Sequence, residues 1–255
     1  MKILFIGDIV GTQGTEFLQN NIRTIKEKYS PDVIIANGEN SAKGNGITPH
    51  SAESLFNAGV DIITTGNHAF RREEIYEYFD THPSLIRPAN CENTQIGNGY
   101  VSYDMGKTSL CVINLMGNVY IPNTKNPFDY ISSLLPQIKE KIIIIDFHAE
   151  TTSEKRSMLF YLNGKVTAII GTHTHVQTAD EEITTNGTAY ITDVGMTGPI
   201  NSVLGIHPHQ AIKKLTSIEP VKFSNPDGPC MLNALLIEAD TSTGKATNIQ
   251  RISFR

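Results

Sequence analysis

The segment from Val166 to His175 ends in the sequence Gly-Thr-His-Thr-His, directly after an apolar run. An apolar run bounded by a glycine is typical of a buried strand. Two histidines one residue apart project to the same side of an extended backbone. We therefore expect the imidazoles of His173 and His175 to reach one metal centre, although paired histidines at this spacing also occur in loops that bind no metal.

Four other apolar runs in the chain also end in polar residues that can bind cations or protons. These residues are Asp8, Glu39 with Asn40, Asn67 with His68, and Asp146 with His148. Each has a simpler explanation as well. An aspartate can cap a turn or a helix, glutamate and asparagine can satisfy loop amides, and a histidine at a sheet edge can be held by hydrogen bonds. For His148 the strongly apolar run before it favours a ligand role.

Apolar periodicity indicates the elements that carry these residues. Strands are predicted over residues 2–6, 33–36, 62–65, 141–145 and 189–192, and the run before Gly171 adds another. Helices are predicted over residues 15–29, 48–59, 73–81 and 157–162, with Thr48-Pro49 as a good helix start. Residues 99–115 form a hairpin around Gly106-Lys107, and residues 231–239 and 248–254 form a final strand pair. His207 and His209 are expected in a loop, beside a helix that begins at Pro208.

In an open α/β sheet, ligands bind beyond the carboxyl ends of the strands. Six candidate ligands are expected at such ends: Asp8, Glu39, Asn67, His148, His173 and His175. Their mixture of carboxylate, amide oxygen and imidazole suits iron, manganese or zinc better than calcium. Their number exceeds what one open catalytic metal needs. It suits two metals that share a bridging carboxylate, about 3.5–4 Å apart.

Length and composition restrict the classes of protein and partner. A chain of 255 residues favours a single domain over residues 1–255. The net charge of −5, from 21 Lys+Arg and 26 Asp+Glu, offers no broad basic surface, so we expect a small phosphorylated ligand and no duplex nucleic acid. The apolar run before Asp8 is too short for a signal peptide, and no run could span a membrane. Three widely spaced cysteines indicate reduced thiols of a cytoplasmic protein.

Taken in order, these motifs resemble those of the calcineurin-like metallophosphoesterases, over nearly the whole chain. They are Gly7-Asp8, Gly38-Glu39-Asn40, Gly66-Asn67-His68, His148, and Gly171 to His175. The closer resemblance is to the bacterial branch of this superfamily that acts on 2′,3′-cyclic nucleotides. The chain departs from the wider superfamily at Val10, where a histidine is usual, and at Glu39, where an aspartate is usual. In the closer branch these residues are the normal pattern.

The resemblance implies a fold, a site and a reaction. The fold is an α/β sandwich of two sheets built from βαβ units, with flanking helices and the active site at the carboxyl ends of the strands. Two divalent or trivalent ions are implied, iron in preference to manganese or zinc. Asp8, Glu39, Asn40 and His175 would hold the first, and Glu39, Asn67, His148 and His173 the second. His68 would be the general acid in the hydrolysis of a 2′,3′-cyclic nucleotide to a 3′-nucleotide.

Other functions stay open on the sequence. A phosphomonoesterase or nucleotidase, or a nuclease of short RNA, would use the same metal pair. A regulatory protein that binds a nucleotide without turnover is a further alternative, but it would not need His68 beside the metals. The expected partner is a small-molecule phosphodiester, bound at the metals and in a pocket that includes the Lys43 to Gly46 loop. A homo-oligomer is compatible with the sequence.

Overall fold

The computed structural model describes residues 1–92 and 95–255, and these residues form two β-sheets and six α-helices. The strands are β1 (Lys2–Ile6), β2 (Asp8–Ile9), β3 (Val33–Asn37), β4 (Ile62–Thr64), β5 (Tyr100–Asp104), β6 (Ser109–Met116), β7 (Ile142–His148), β8 (Ala168–Thr172), β9 (Glu182–Ile183), β10 (Ala189–Ile191), β11 (Met196–Pro199), β12 (Cys230–Ala239) and β13 (Ala246–Phe254). The helices are α1 (Gly11–Tyr29), α2 (Pro49–Ala58), α3 (Tyr76–Thr81), α4 (Pro127–Leu134), α5 (Thr152–Leu162) and α6 (Pro208–Thr216). Short 3₁₀ turns cover Glu73–Ile75 and Leu135–Gln137.

Each sheet contains a parallel group of strands. In the first sheet the order is β2-β11-β12-β1-β3-β4, and β13 pairs with β12. In the second sheet the order is β5-β6-β7-β8-β10-β9. Strands β1, β3 and β4 run parallel to one another, as do β6, β7, β8 and β10, so within each group the carboxyl ends meet at one edge of the sheet.

The two sheets pack face to face between two layers of helices. In β1, Ile3 and Phe5 lie in the core between the sheets, whereas Leu4 and Ile6 face α1 and α2. The outer face of the second sheet is covered in the same way by α4 and α5. Because both faces of the central strands are buried, their sequences are apolar until the polar residues near their carboxyl ends, as is typical of parallel sheets. The predicted two-sheet α/β sandwich is confirmed.

Most elements agree with the sequence patterns, and the clearest error concerns the start of α1. The helix begins at Gly11, one turn before the predicted Thr15. Gly14 lies so close to β11 that a Cβ atom there would be 2.4 Å from the carbonyl oxygen of Thr197. Both glycines belong to the helix, although glycine is more typical of turns, and Gly14 allows the close approach of the helix to the sheet.

Two further differences concern α4 and α6. The patterns do not predict α4, although Asn126 caps it by accepting from the backbone N–H of Phe128, and Pro127 occupies its first position. α6 begins at Pro208 as expected, but His209 lies within this helix and not in a loop. The helices of the described ranges fall short, in length or in apolar character, of what crossing a bilayer takes.

Candidate metal centre

Four of the predicted site residues meet where the carboxyl ends of the two sheets face each other. The Nε2 atom of His148 lies 2.9 Å from Oδ1 of Asn67, 3.0 Å from Nδ1 of His173 and 3.4 Å from Oε1 of Glu39. Glu39, His148 and His173 each offer a donor atom within 4.8 Å of the others. The first sheet supplies Glu39 and Asn67, and the second sheet supplies the histidines, so the cluster joins the two sheets.

A second group of donors lies on the other side of Glu39. The Nε2 atom of His175 is 3.6 Å from Oδ1 of Asp8, and the amide nitrogen of Asn40 is 3.0 Å from Oε1 of Glu39 and 3.5 Å from Nε2 of His175. Oδ1 of Asp8 is buried and has no hydrogen-bond partner among the described residues. An unpaired buried carboxylate oxygen is costly, and a bound cation would satisfy it. Glu39 therefore stands between two sets of donors.

A chain of hydrogen bonds fixes the orientation of His148. Oγ1 of Thr172 donates its hydrogen to Oδ1 of Asp146 at 2.6 Å, so Oγ1 of Thr172 is free to accept from Nδ1–H of His148 at 2.9 Å. Asp146 also accepts from the hydroxyl of Thr64 at 2.5 Å. With Nδ1 used in this way, Nε2 is the nitrogen that faces the donor cluster. Such outer hydrogen bonds are the usual means by which a protein aims a histidine at a metal.

The electrostatics of the cluster also favour a bound cation. Asp8, Glu39 and Asp146 are almost completely buried. Burial raises the pKa of Asp146 to about 6. Burial alone would lower the pKa of His148, but the carboxylates of Glu39, Asp8 and Asp146 outweigh it and raise this pKa to about 9. The raised pKa of His148 means that the buried carboxylates favour a positive charge beside them. Bound metal ions would supply that charge.

His68 is held beside the cluster by a different pattern of contacts. Its backbone N–H donates to Oε2 of Glu39 at 2.9 Å, and its Nδ1 lies 2.9 Å from Oδ1 of Asn40 and 3.3 Å from Oε1 of Glu39. Because both neighbours of Nδ1 are oxygen acceptors, this nitrogen carries a proton. The side chain is 29% exposed, and the ring lines two clefts that open above the cluster.

The local conformation of the Gly-Thr-His-Thr-His segment differs from the prediction. β8 ends at Thr172, and the φ angles of His173 and His175 are 98° and 65°, in the left-handed region. The expected extended backbone is therefore wrong, although both imidazoles still face the cluster. Left-handed φ angles in residues other than glycine cost free energy and persist where the surroundings enforce them.

A buried ion pair enforces the turn at residues 173–175. Oδ2 of Asp193 accepts from the backbone N–H of Thr174 at 3.0 Å and from its hydroxyl at 2.8 Å, and it also accepts from Nζ of Lys155 at 2.9 Å. Both charged side chains are buried. The sequence patterns assign no role to Asp193 or Lys155. The only signal was the position of Asp193 directly after the predicted strand 189–192.

Glu150 and Gly66 are two more residues that the sequence patterns do not assign. Oε2 of Glu150 accepts from Nε2 of His173 at 2.8 Å, which leaves Nδ1 of this histidine facing the cluster. A Cβ atom on Gly66 would lie 2.3 Å from the ring of His148 and 2.5 Å from Oε2 of Glu39. A glycine at residue 66 is therefore needed for the cluster to close.

The comparisons with known proteins give the class first. A solved structure of an NAD nucleotidase from Haemophilus influenzae aligns with 99% of the chain and 55% of its own length, with a TM-score of 0.60 and 12% identity. This likeness shows the fold alone, which the chain shares with that nucleotidase. Among proteins of this fold the chain belongs to the family of YmdB-like proteins, whose model matches residues 4–252.

Two relatives cover nearly the whole chain. A 2′,3′-cyclic-nucleotide 2′-phosphodiesterase from Bacillus subtilis (strain 168) is 42% identical over 254 residues, which are 99% of this chain and 96% of the relative. The crystal structure of a phosphatase from Mycoplasma pneumoniae aligns with a TM-score of 0.94 and 37% identity, over 100% of this chain and 93% of that one. The family resemblance predicted from the motifs is confirmed.

Proposed function

We propose that this protein is a metal-dependent phosphodiesterase that hydrolyses 2′,3′-cyclic nucleotides to 3′-nucleotides. The observation that carries the proposal is the position of Glu39. Its carboxylate lies between two sets of donor atoms and also contacts His68, whose ring lines both clefts. The name of the Bacillus subtilis relative supports the same substrate class.

In this proposal Glu39 would contribute to the binding of two metal ions. Asp8, Asn40 and His175 would hold the first with it, and Asn67, His148 and His173 would hold the second. The carboxylate, amide and imidazole donors suit iron, manganese or zinc, and the family resemblance favours iron among these. When bound, the two ions would supply Lewis-acid charge to the phosphate oxygens and lower the pKa of a water molecule. Asn40 would have to serve the first site through Oδ1, the same atom that contacts Nδ1 of His68, because its amide nitrogen does not bind metals.

His68 would act as the general acid. Asn40 and Glu39 hold its Nδ1–H, so the ring cannot rotate freely, and Nε2 on the opposite edge makes no hydrogen bond to another described residue. As the general acid, His68 would donate a proton from Nε2 to the 2′ oxygen as water adds to phosphorus and the bond between phosphorus and the 2′ oxygen breaks, which leaves the 3′-phosphate.

A nuclease of short RNA is the second candidate, and one feature favours it. The second cleft, with a volume of about 750 Å³, adjoins Asn67, His68 and His173 and could accept a nucleoside on the far side of the phosphate. The net charge of −5 favours the smaller substrate, because a longer RNA gains its affinity from several contacts between phosphates and basic residues.

A substrate panel would test the proposal. The protein, purified with its native metals and analysed for metal content, would be assayed with 2′,3′-cyclic AMP, p-nitrophenyl phosphate and a short RNA at equal salt. We expect the highest kcat/KM for the cyclic nucleotide, 3′-AMP as the product, and a KM that depends weakly on ionic strength. A much higher kcat/KM for the RNA would show that the proposal is wrong and that the protein is a nuclease of short RNA. Preference for the monoester would replace it with a phosphatase.

A further inference from the structure

One cleft above the metal centre has a wall that the proposed chemistry does not use. This cleft has a volume of about 330 Å³, and its floor includes Glu39, His68 and His175. Phe223 and Leu204 lie on its wall with 41% and 45% of their surfaces exposed, although both are large and apolar. The apolar residues of the wall are Val10, Leu204, Ile206 and Phe223. A half-exposed apolar wall that opens onto a polar floor is the usual form of a small-molecule site.

The wall is a built structure and is tied to the proposed metal ligands. Val203 and Ile206 exchange two backbone hydrogen bonds of 2.8 and 3.0 Å, which close a tight turn around Leu204. Nδ2 of Asn225 donates to the carbonyl oxygen of Gly205 at 2.9 Å and joins the Phe223 segment to this turn. The carbonyl oxygen of Leu204 also lies 3.0 Å from Nδ1 of His175. The distance from the wall to the metal centre is therefore fixed by hydrogen bonds.

We propose that this wall is the subsite for the nucleobase of the substrate, an inference that rests on the proposed function. An aromatic ring and aliphatic side chains suit the π-face of a base, and every base has such a face. Asn45 also lines the cleft, and its amide group offers both a donor and an acceptor to polar atoms of a base. Because stacking is tolerant of base identity, the enzyme accepts 2′,3′-cyclic nucleotides of all four bases with similar KM.

The proposed position of the phosphate indicates that the nucleoside binds in this cleft and not in the second one. His68 and His173 line both clefts, but Glu39 and His175 are among the described residues that line the first cleft and not the second. In the proposed reaction the phosphate lies above Glu39, which belongs to both metal sites. A nucleoside attached to that phosphate enters the first cleft directly. The second cleft is then left for solvent when the substrate is a cyclic mononucleotide.

Removal of the Phe223 ring tests the subsite. For Phe223→Ala we expect the KM for 2′,3′-cyclic AMP and 2′,3′-cyclic CMP to rise about 5- to 100-fold with a nearly unchanged kcat, the usual loss when a stacking ring is removed. Phe223→Trp keeps an aromatic face and should retain the original KM. The matched control is Phe160→Ala, because Phe160 is 70% exposed on α5 and lies outside both clefts.

Two further measurements make the outcome specific to the base. Methyl riboside 2′,3′-cyclic phosphate has no base, so its KM should be the same in Phe223→Ala and in the unmodified protein. Calorimetry with 3′-AMP and with inorganic phosphate measures binding without turnover, and only the 3′-AMP affinity should fall. An equal change of KM for the substrates with and without a base would overturn the subsite. So would an unchanged KM together with a changed oligomeric state in sedimentation, since the wall would then be an interface between copies of the chain.

The failure of the subsite can be told apart from the failure of the proposed function. If the unmodified protein hydrolyses no phosphodiester but its 3′-AMP affinity falls in Phe223→Ala, the subsite stands and the proposed reaction is wrong. If the cyclic nucleotides are hydrolysed and 3′-AMP binds equally to both proteins, the reaction stands and the subsite is overturned.

Discussion

Four histidines lie at the rim of the sheets: His68, His148, His173 and His175. They differ in whether the hydrogen-bonded ring nitrogen lies towards the donor cluster or away from it. In His148, His173 and His175 one nitrogen contacts an oxygen outside the donor cluster, and the other nitrogen faces the cluster. In His68 the hydrogen-bonded nitrogen is Nδ1, which is the one nearest the cluster. The opposite edge of the ring faces the clefts. The same residue type can thus serve as ligand or as acid, and the hydrogen-bond partner of each ring decides which.

This difference predicts the behaviour of His68→Ala. The variant should keep its metals, because no donor to the proposed metal sites is removed, and should lose about 10²- to 10⁴-fold in rate on cyclic nucleotides. The loss should be much smaller for a diester with a p-nitrophenolate leaving group, which needs little protonation. Steady-state rates on both substrates and elemental analysis check this. His50→Ala, an exposed histidine on α2, is the control. Equal losses on both substrates would show that His68 is not the acid.

At the scale of elements, the turn at residues 173–175 depends on side chains from distant parts of the chain. Asp193 follows β10, and Lys155 lies in α5. Each hydrogen bond that Asp193 accepts from Thr174 holds the backbone between the two histidines. The hydroxyl of Thr174 is the smallest group that can be removed without breaking the buried ion pair.

We therefore expect Thr174→Val to weaken metal binding more than it weakens the fold. A hydrogen bond to a charged group contributes about 1.5–3 kcal/mol, so the metal dissociation constant should rise about 10- to 100-fold if that free energy is lost from the turn. Competition with a chromogenic chelator measures the constant, and thermal unfolding measures the stability. Thr174→Ser restores the hydroxyl and should restore metal binding. A lower melting temperature with unchanged metal affinity would mean that the hydroxyl stabilises the fold without positioning the histidines.

Features that depend on residues close together in the sequence could be predicted, whereas features that depend on contacts between distant residues could not. The strands and most helices follow from apolar periodicity, and the rim of candidate ligands follows from the strand ends. The left-handed turn could not be predicted, because Asp193 and Lys155 enforce it from other elements. The support of His173 by Glu150 has no pattern beyond its place two residues after His148. Local signals predict elements, whereas contacts across the fold select the conformation of the turn.

For the whole molecule, the proposed metal centre lies where the two sheets meet. The first sheet and the loops after its strands supply Asp8, Glu39 and Asn67, whereas the second supplies His148 and His173. The apolar core between the sheets ends below this rim, where buried carboxylates replace apolar side chains. Without bound cations the rim holds buried negative charge from both sheets, which works against their packing. Metal binding should therefore stabilise the whole sandwich.

Removal of the metals should lower the melting temperature by about 5–10 °C. A ligand at 100 times its dissociation constant contributes about 2.7 kcal/mol, and each kcal/mol shifts Tm by about 2–4 °C in a domain of this size. Differential scanning calorimetry before and after chelation measures the shift, and re-addition of metal should reverse it. Glu39→Gln removes the carboxylate that both sites share, so chelation should hardly change its Tm. Glu74→Gln, at an exposed position, should behave like the unmodified protein. A full chelation shift in Glu39→Gln would show that the metals stabilise the protein without the Glu39 bridge.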